Sequence, residues 1–271
     1  MKTRIVPKDH IGILKREDWI DRTRKIYVEE DVAYIPVREG FGYDMEIPKR
    51  TPYVGRGYQK MGDTILIHGK SVTDEDVKKI LAFERPSCIL LSKGQCGILR
   101  IPEIEVLFGR PHDVTFREAG IVYTLNPSKV MFSQGNRREK LRIRKLIRTG
   151  ERTADLFAGV GYFTLSAALA GANVHAMELN PDAFTFLQKN IQDNGFSSKV
   201  HAELGDCRTL LNGVYDRIIM GHFDAPEFLD TALKHVKSGT TLHVHGLGDR
   251  KTEIKSTLSS TGFRYTLSEY K

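Results

Sequence analysis

The chain has 271 residues, 40% hydrophobic and 28% charged: enough apolar material for two compact domains or one large one, and too much for wholesale disorder. Its longest apolar runs are too short to cross a bilayer, and Met1-Lys2-Thr3-Arg4 lacks the apolar run of a secretory signal, so a cytoplasmic protein is expected. Three cysteines, Cys88, Cys96 and Cys207, are too few and too scattered for a disulfide framework or a zinc site, and no metal is expected.

Residues 1–125 are read as a small α+β domain. Val32 to Val37, Thr64 to Ile67, Cys88 to Leu91, Ile104 to Phe108 and Ile121 to Leu125 have the apolar, β-branched composition of strands. Thr73-Asp74-Glu75-Asp76 opens a helix, with Thr73 as cap and Asp76 at the capping-box position; Val77, Ile80, Leu81 and Phe83 would form its apolar face. Leu141 to Arg148 predicts a basic amphipathic helix with Ile143, Leu146 and Ile147 as its stripe and Gly150 as its C-terminal cap. Charge is uneven. Residues 1–150 hold 29 Lys+Arg against 20 Asp+Glu, a net of +9, whereas 151–271 carry a net of −2. Such a basic excess attracts nucleic acid through phosphate neutralisation.

From 151 onward strand and helix patterns alternate. Strands are expected near 153–157, 173–177, 199–203, 215–220 and 240–245, and helices near 162–170, 181–194, 225–236 and 250–260. That order implies a parallel, doubly wound sheet with its site at the carboxyl ends of the strands. The first strand runs into Asp155-Leu156-Phe157-Ala158-Gly159-Val160-Gly161, a turn with glycine where backbone must approach a ligand closely. Thr164 replaces the third glycine of a dinucleotide fingerprint, which lowers that reading. Glu178 ends the second strand, and Gly205-Asp206-Cys207 follows the third. Asn180-Pro181 reads as a helix cap and first turn. His222 follows the fourth strand and could position a substrate or take a proton. His243 and His245, with no carboxylate or thiol at ligand spacing, read as packing or pocket lining.

The ordered set D-x-F-x-G-x-G, E-L-N-P, G-D-C and Y-D-R-I-I-M resembles class I transferases that use S-adenosylmethionine (SAM). Together with Met131-Phe132-Ser133-Gln134-Gly135-Asn136 and the basic helix, it resembles the enzymes that modify guanosine 37 of tRNA. Two branches share the layout: the tRNA guanine-37 N1-methyltransferases and the tRNA wybutosine-synthesizing protein 2 family. The methyltransferases carry Asn-x-Pro after the fourth strand; here Gly221-His222-Phe223 stands there, which is similar to the wybutosine branch.

The resemblance implies a Rossmann-like SAM domain over 126–271, preceded by a domain that contacts tRNA. It implies transfer of the 3-amino-3-carboxypropyl group of SAM to C7 of 4-demethylwyosine at position 37 of tRNA(Phe), releasing methylthioadenosine. The alternatives are N1 methylation of guanosine 37 and a non-catalytic tRNA-binding protein. SAM contacts are expected from Ser133, Lys140, Asp155, Gly159, Gly161, Glu178, Asp206 and Cys207, a catalytic role from His222, and contacts to the anticodon loop from Arg137, Arg138, Arg142, Arg144 and Lys145. A monomer with no membrane partner is expected.

Overall fold

The computed structural model describes residues 1–29, 31–47, 52–132 and 136–270. The chain forms two compact units, Met1–Val54 and Gly55–Lys271. The boundary expected at 125/126 falls inside the second unit. In the first unit, β1 (Lys2–Pro7), β2 (Tyr27–Glu29), β3 (Val32–Pro36) and β4 (Met45–Glu46) make an antiparallel sheet in the order β2-β3-β1-β4. Trp19, Ile20, Ala33, Ile35 and Val37 are its core.

The second unit opens with β5 (Gln59–Met61), β6 (Thr64–His68), α1 (Asp74–Glu84), β7 (Cys88–Cys96) and β8 (Ile101–Gly109), a four-stranded sheet in that strand order. Thr73 caps α1 as its sequence predicts, its hydroxyl accepting the Asp76 N–H. β9 (Val114–Glu118) and β10 (Ile121–Leu125) form a hairpin. α2 (Arg137–Leu146) begins earlier than expected and ends in extended backbone at Ile147. Gly150, at φ +81°, serves the turn into the next strand instead of capping α2, and its N–H donates to Gly171 O at 2.8 Å.

Five parallel strands follow: β11 (Arg152–Asp155), β12 (Asn173–Glu178), β13 (Val200–Leu204), β14 (Tyr215–Met220) and β15 (Val236–Val244), in the spatial order β13-β12-β11-β14-β15. α3 (Thr164–Leu169), α4 (Pro181–Asp193), α5 (Cys207–Leu210) and α6 (Leu229–Leu233) connect them, and α7 (Lys251–Ser259) closes the sequence. This is the doubly wound α/β arrangement that the alternating pattern predicts. The order reverses at β11, so its two neighbours lead their connections to opposite sides and leave a crevice at their carboxyl ends.

One core joins the smaller sheets to the parallel sheet. Leu66 and Leu90, Tyr123 and Leu125, and Val174 and Leu187 belong to a single buried cluster. Buried polar groups fix the joint. On α4, Asn190 Oδ1 accepts the Thr124 N–H at 2.7 Å, and its Nδ2 donates to Thr124 O and Val160 O. One turn on, Asn194 exchanges the same pair of bonds with Val122. The helix thus pairs with the edge of β10 as a strand would, and Asn190 also holds the glycine loop through Val160.

Candidate active site

A cavity of about 330 Å³ opens at the carboxyl ends of β11 to β14, the crevice that the strand order creates. The tip of the β7–β8 hairpin, Ile98 to Arg100, forms a further wall. Gly159, Glu178, Asp206, Cys207 and His222, all expected at the cofactor or substrate, line it. They come from four strand ends, which is why no single sequence window holds the site.

The glycine loop is shaped by sterics. Gly159 lies at φ +57°, and a Cβ there would stand 2.4 Å from the Tyr162 ring. Gly161, at φ +105°, does not face the cavity; a Cβ there would stand 2.8 Å from Leu165. Gly159 therefore makes room for the Tyr162 ring beside the cavity, whereas Gly161 lets the loop pack onto α3. Asp155 is fully buried and also lies outside the cavity lining. Its carboxylate accepts from the Thr164 hydroxyl at 2.7 Å and from the Phe157 N–H at 3.4 Å, so it orders the loop. Burial pushes its pKa up to about 6.

Glu178 Oε2 accepts the Gly159 N–H at 2.6 Å and Oε1 the Asn180 N–H at 2.7 Å. Burial raises its pKa against these bonds. A carboxylate has about four acceptor positions, so capacity remains for a diol. Asp206 caps α5 through the Arg208 N–H at 2.9 Å and pairs with the Arg208 guanidinium, which holds its pKa down. It is thus both a helix cap and a pocket wall. The Cys207 thiol is buried and raised to about 12, so it is packing, not a nucleophile. A half-buried carboxylate, a left-handed glycine beside it and an apolar wall of Leu156, Phe157 and Phe163 fit the ribose and adenine of SAM.

His222 stands against the Phe157 ring at 5.1 Å between centroids. Its Nδ1 accepts the Asp224 N–H at 3.1 Å, so the neutral ring carries its proton on Nε2 and presents a donor. Burial and the charge of Arg100 lower its pKa, in that order. In this state His222 can orient a base; it is not set up to take a proton at Nε2.

Other expected residues have different partners. Ser133 lies outside the described residues. Lys140 is buried away from the cavity, ion-paired with Glu118 and surrounded by the Tyr123, Phe132 and Tyr162 rings. Burial lowers its pKa, and it joins α2 to the β9–β10 hairpin. Of the basic cluster, Arg137, Arg138 and Lys145 are exposed on α2. Arg142 turns to Glu139 at 2.6 Å and stacks on Tyr270, while Arg144 donates to Ala119 O and Ser166 Oγ. These two hold α2 in place.

His243 and His245 do not line the cavity either. His243 accepts from Arg217 at 2.7 Å, and burial with two neighbouring guanidiniums lowers its pKa to about 3.

Three residues of the wall were not expected there from the sequence. Asn180 both caps α4 and donates from Nδ2 to Leu99 O at 3.0 Å, tying the hairpin tip to the end of β12. Arg100, at φ +52°, lies over the Phe223 ring at 5.0 Å. Asn136 reaches the cavity from the start of α2. The only local signal for the hairpin tip was Gly97.

The family described as TRM5/TYW2 methyltransferase domain matches residues 114–263. The tRNA(Phe) (4-demethylwyosine(37)-C(7)) aminocarboxypropyltransferase of Methanocaldococcus jannaschii is 32% identical over 71% of this chain and 78% of its own length. The tRNA wybutosine-synthesizing protein 2 homolog of Danio rerio is 39% identical, over 54% of this chain but 37% of its own. Among solved structures, P. horikoshii TYW2 in complex with MeSAdo aligns at a TM-score of 0.66 and 27% identity, covering 78% of this chain and 81% of that one. The complex of aTrm5 and tRNALeu aligns at 0.70 and 21%, over 97% and 92%, which is a likeness of fold.

Proposed function

Because this chain belongs to the TRM5/TYW2 methyltransferase domain family, we propose that it transfers the 3-amino-3-carboxypropyl group of SAM to C7 of 4-demethylwyosine at position 37 of tRNA(Phe). The new bond joins C7 to the carbon next to sulfur in that group. The carbon–sulfur bond breaks, its electron pair leaves with neutral methylthioadenosine, and C7 gives up its proton.

Little covalent chemistry falls to the protein. A sulfonium activates three carbons, and the enzyme selects one by holding it in line with the attacking atom. Glu178 and the Gly159 backbone would hold the nucleoside end of SAM, with Asp206 at the adenine side. Phe157 and His222 offer a ring surface, and the Nε2 hydrogen of His222 a donor, for a flipped base. Arg100 over Phe223 closes the opposite side of the mouth.

The observation that carries this reading over guanosine methylation is at Gly221. A Cβ there would lie 2.6 Å from Cε2 of Phe163, a buried ring at the cavity wall. This chain has no Asn-x-Pro motif at this position, and an asparagine here would require the Phe163 ring to shift, so the base-holding device of the methyltransferases is absent and the wall is built around glycine.

The test is product analysis by mass spectrometry with SAM and tRNA carrying guanosine or 4-demethylwyosine at position 37. Methylthioadenosine with an aminocarboxypropyl adduct on the tricyclic base is expected. S-adenosylhomocysteine with methylated guanosine would overturn the proposal.

A further inference from the structure

Outside the cavity, the two strands that carry its carboxylates bring together three side chains of metal-ligand type. β12 and β13 run parallel with His175 opposite His201. Glu203 is two residues beyond His201 and so shares its face. His175 Nε2 is 2.5 Å from Glu203 Oε2, and His201 Nε2 is 3.5 Å from the same oxygen. The three donor atoms all lie within 4.8 Å of one another.

The cluster is half anchored and half free. His175 is 6% exposed, and its Nδ1 is 2.7 Å from the hydroxyl of the fully buried Tyr215. That hydroxyl oxygen also accepts the Asn212 N–H at 3.4 Å. A histidine oriented through its second nitrogen is the usual arrangement behind a metal ligand. The side chains of His201 and Glu203 are 74% and 32% exposed, so both can adjust and solvent can reach the centre. The Arg152 guanidinium acts on His175 from 4.4 Å above the Tyr215 ring, but it is held there by donating to the Asn212 and Val214 carbonyls.

We propose that His175, His201 and Glu203 form a binding site for a divalent transition metal of the zinc class, separate from the SAM cavity. Two imidazoles and one carboxylate supply three ligands, and water takes the fourth position. Tetrahedral zinc holds such donors about 3.4 Å apart, so Glu203 retreats from His175 by about 1 Å and His201 turns inward. His175 would bind the metal through Nε2 as the neutral tautomer protonated on Nδ1, whose N–H then donates to the Tyr215 oxygen.

The position gives such a site a consequence. His175 is three residues before Glu178, and Glu203 three before Asp206. A metal there would staple together the two strands that end in the pocket's carboxylates.

Isothermal titration of zinc into the untagged full chain, after removal of chelator, tests the site directly. One ion per chain with micromolar or tighter affinity, a rise in Tm, and the visible band of tetrahedral cobalt on substitution are expected. His201→Ala should weaken zinc binding more than tenfold while leaving the metal-free Tm unchanged, because His201 is a surface residue. Tyr215→Phe should weaken it about tenfold, because the His175 ring then has no hydroxyl to orient it. Absence of saturable zinc binding by the wild-type chain, or wild-type affinity in His201→Ala, would overturn the proposal. Neither readout involves the transferase reaction, so the result stands apart from the proposed function.

Discussion

Two carboxylates beside the glycine loop, Asp155 buried and Glu178 half-buried, divide the work of the site. Glu178 faces the cavity and is held by backbone N–H groups of Gly159 and Asn180. Glu178→Ala removes the acceptor for the ribose hydroxyls and frees both N–H groups, so SAM affinity measured by calorimetry should fall at least tenfold, about 1.4 kcal/mol. Unchanged affinity would reject the assignment. Asp155 faces the protein, and its folded pKa of about 6 stands above the ordinary aspartate value of 3.8. A carboxyl whose pKa is raised on folding stabilises the fold fully below its unfolded pKa, and that contribution is lost as pH rises through the folded pKa. Ionisation of Asp155 therefore costs stability progressively between about pH 4 and 6, to a limit of about 3 kcal/mol. Asp155→Asn retains an oxygen for the Phe157 N–H and an amide that can donate to the Thr164 hydroxyl. Thermal melts from pH 4 to 7 should show the variant losing less stability with rising pH than the wild type; parallel profiles would refute the raised pKa.

At the scale of elements, what the sequence made legible was local. Val32–Val37, Thr64–Ile67 and the five parallel strands announced themselves as apolar runs, and Thr73 and Asn180 as caps. β1, β2 and β4 did not, because their exposed faces leave no continuous apolar run, and α5 is a single turn too short to have a period. The same limit divides the site. Gly159, Glu178, Asp206 and His222 each end a readable strand. The Lys140–Glu118 pair went unread because Glu118 sits on a hairpin whose docking against α2 no local pattern reports. Arg100 was missed because the hairpin tip meets the cavity wall through a long-range contact, Asn180 to Leu99, that no local pattern reports. The α4–β10 joint is a further case, since an asparagine inside a helix looks like a surface residue. Asn190 is wholly buried and serves three backbone groups. Asn190→Ala should destabilise the chain by about 1–3 kcal/mol or more, because buried N–H and C=O groups lose their partner. A urea denaturation midpoint unchanged from wild type would show that these bonds are replaced by water.

For the molecule as a whole, charge is distributed differently from its compact units. Residues 1–54 hold 11 Lys+Arg and 10 Asp+Glu, a net of +1, so the excess of +9 read over 1–150 resides almost entirely in 55–150. That segment belongs to the unit with the cavity. α2 brings the basic run to the cavity through Asn136, and the structure sorts its members into two classes. Arg137, Arg138 and Lys145 project to solvent, whereas Arg142 and Arg144 are committed to Glu139, Ala119 and Ser166. On the proposed function, the first class meets tRNA phosphates and the second keeps the helix docked. Reversing Arg137, Arg138 or Lys145 to Glu should weaken tRNA binding and reduce the slope of log affinity against log salt by roughly 0.7–0.9 for each phosphate no longer neutralised. SAM affinity and Tm should stay at wild-type values. Arg142→Ala and Arg144→Ala should do the opposite, lowering Tm with little change in the salt slope of whatever folded protein remains. Filter binding across a salt series, with melts on the same preparations, separates the classes. If Arg142→Ala reduced the slope as much as Arg138→Glu at unchanged Tm, the division of α2 into an RNA face and a docking face would be wrong.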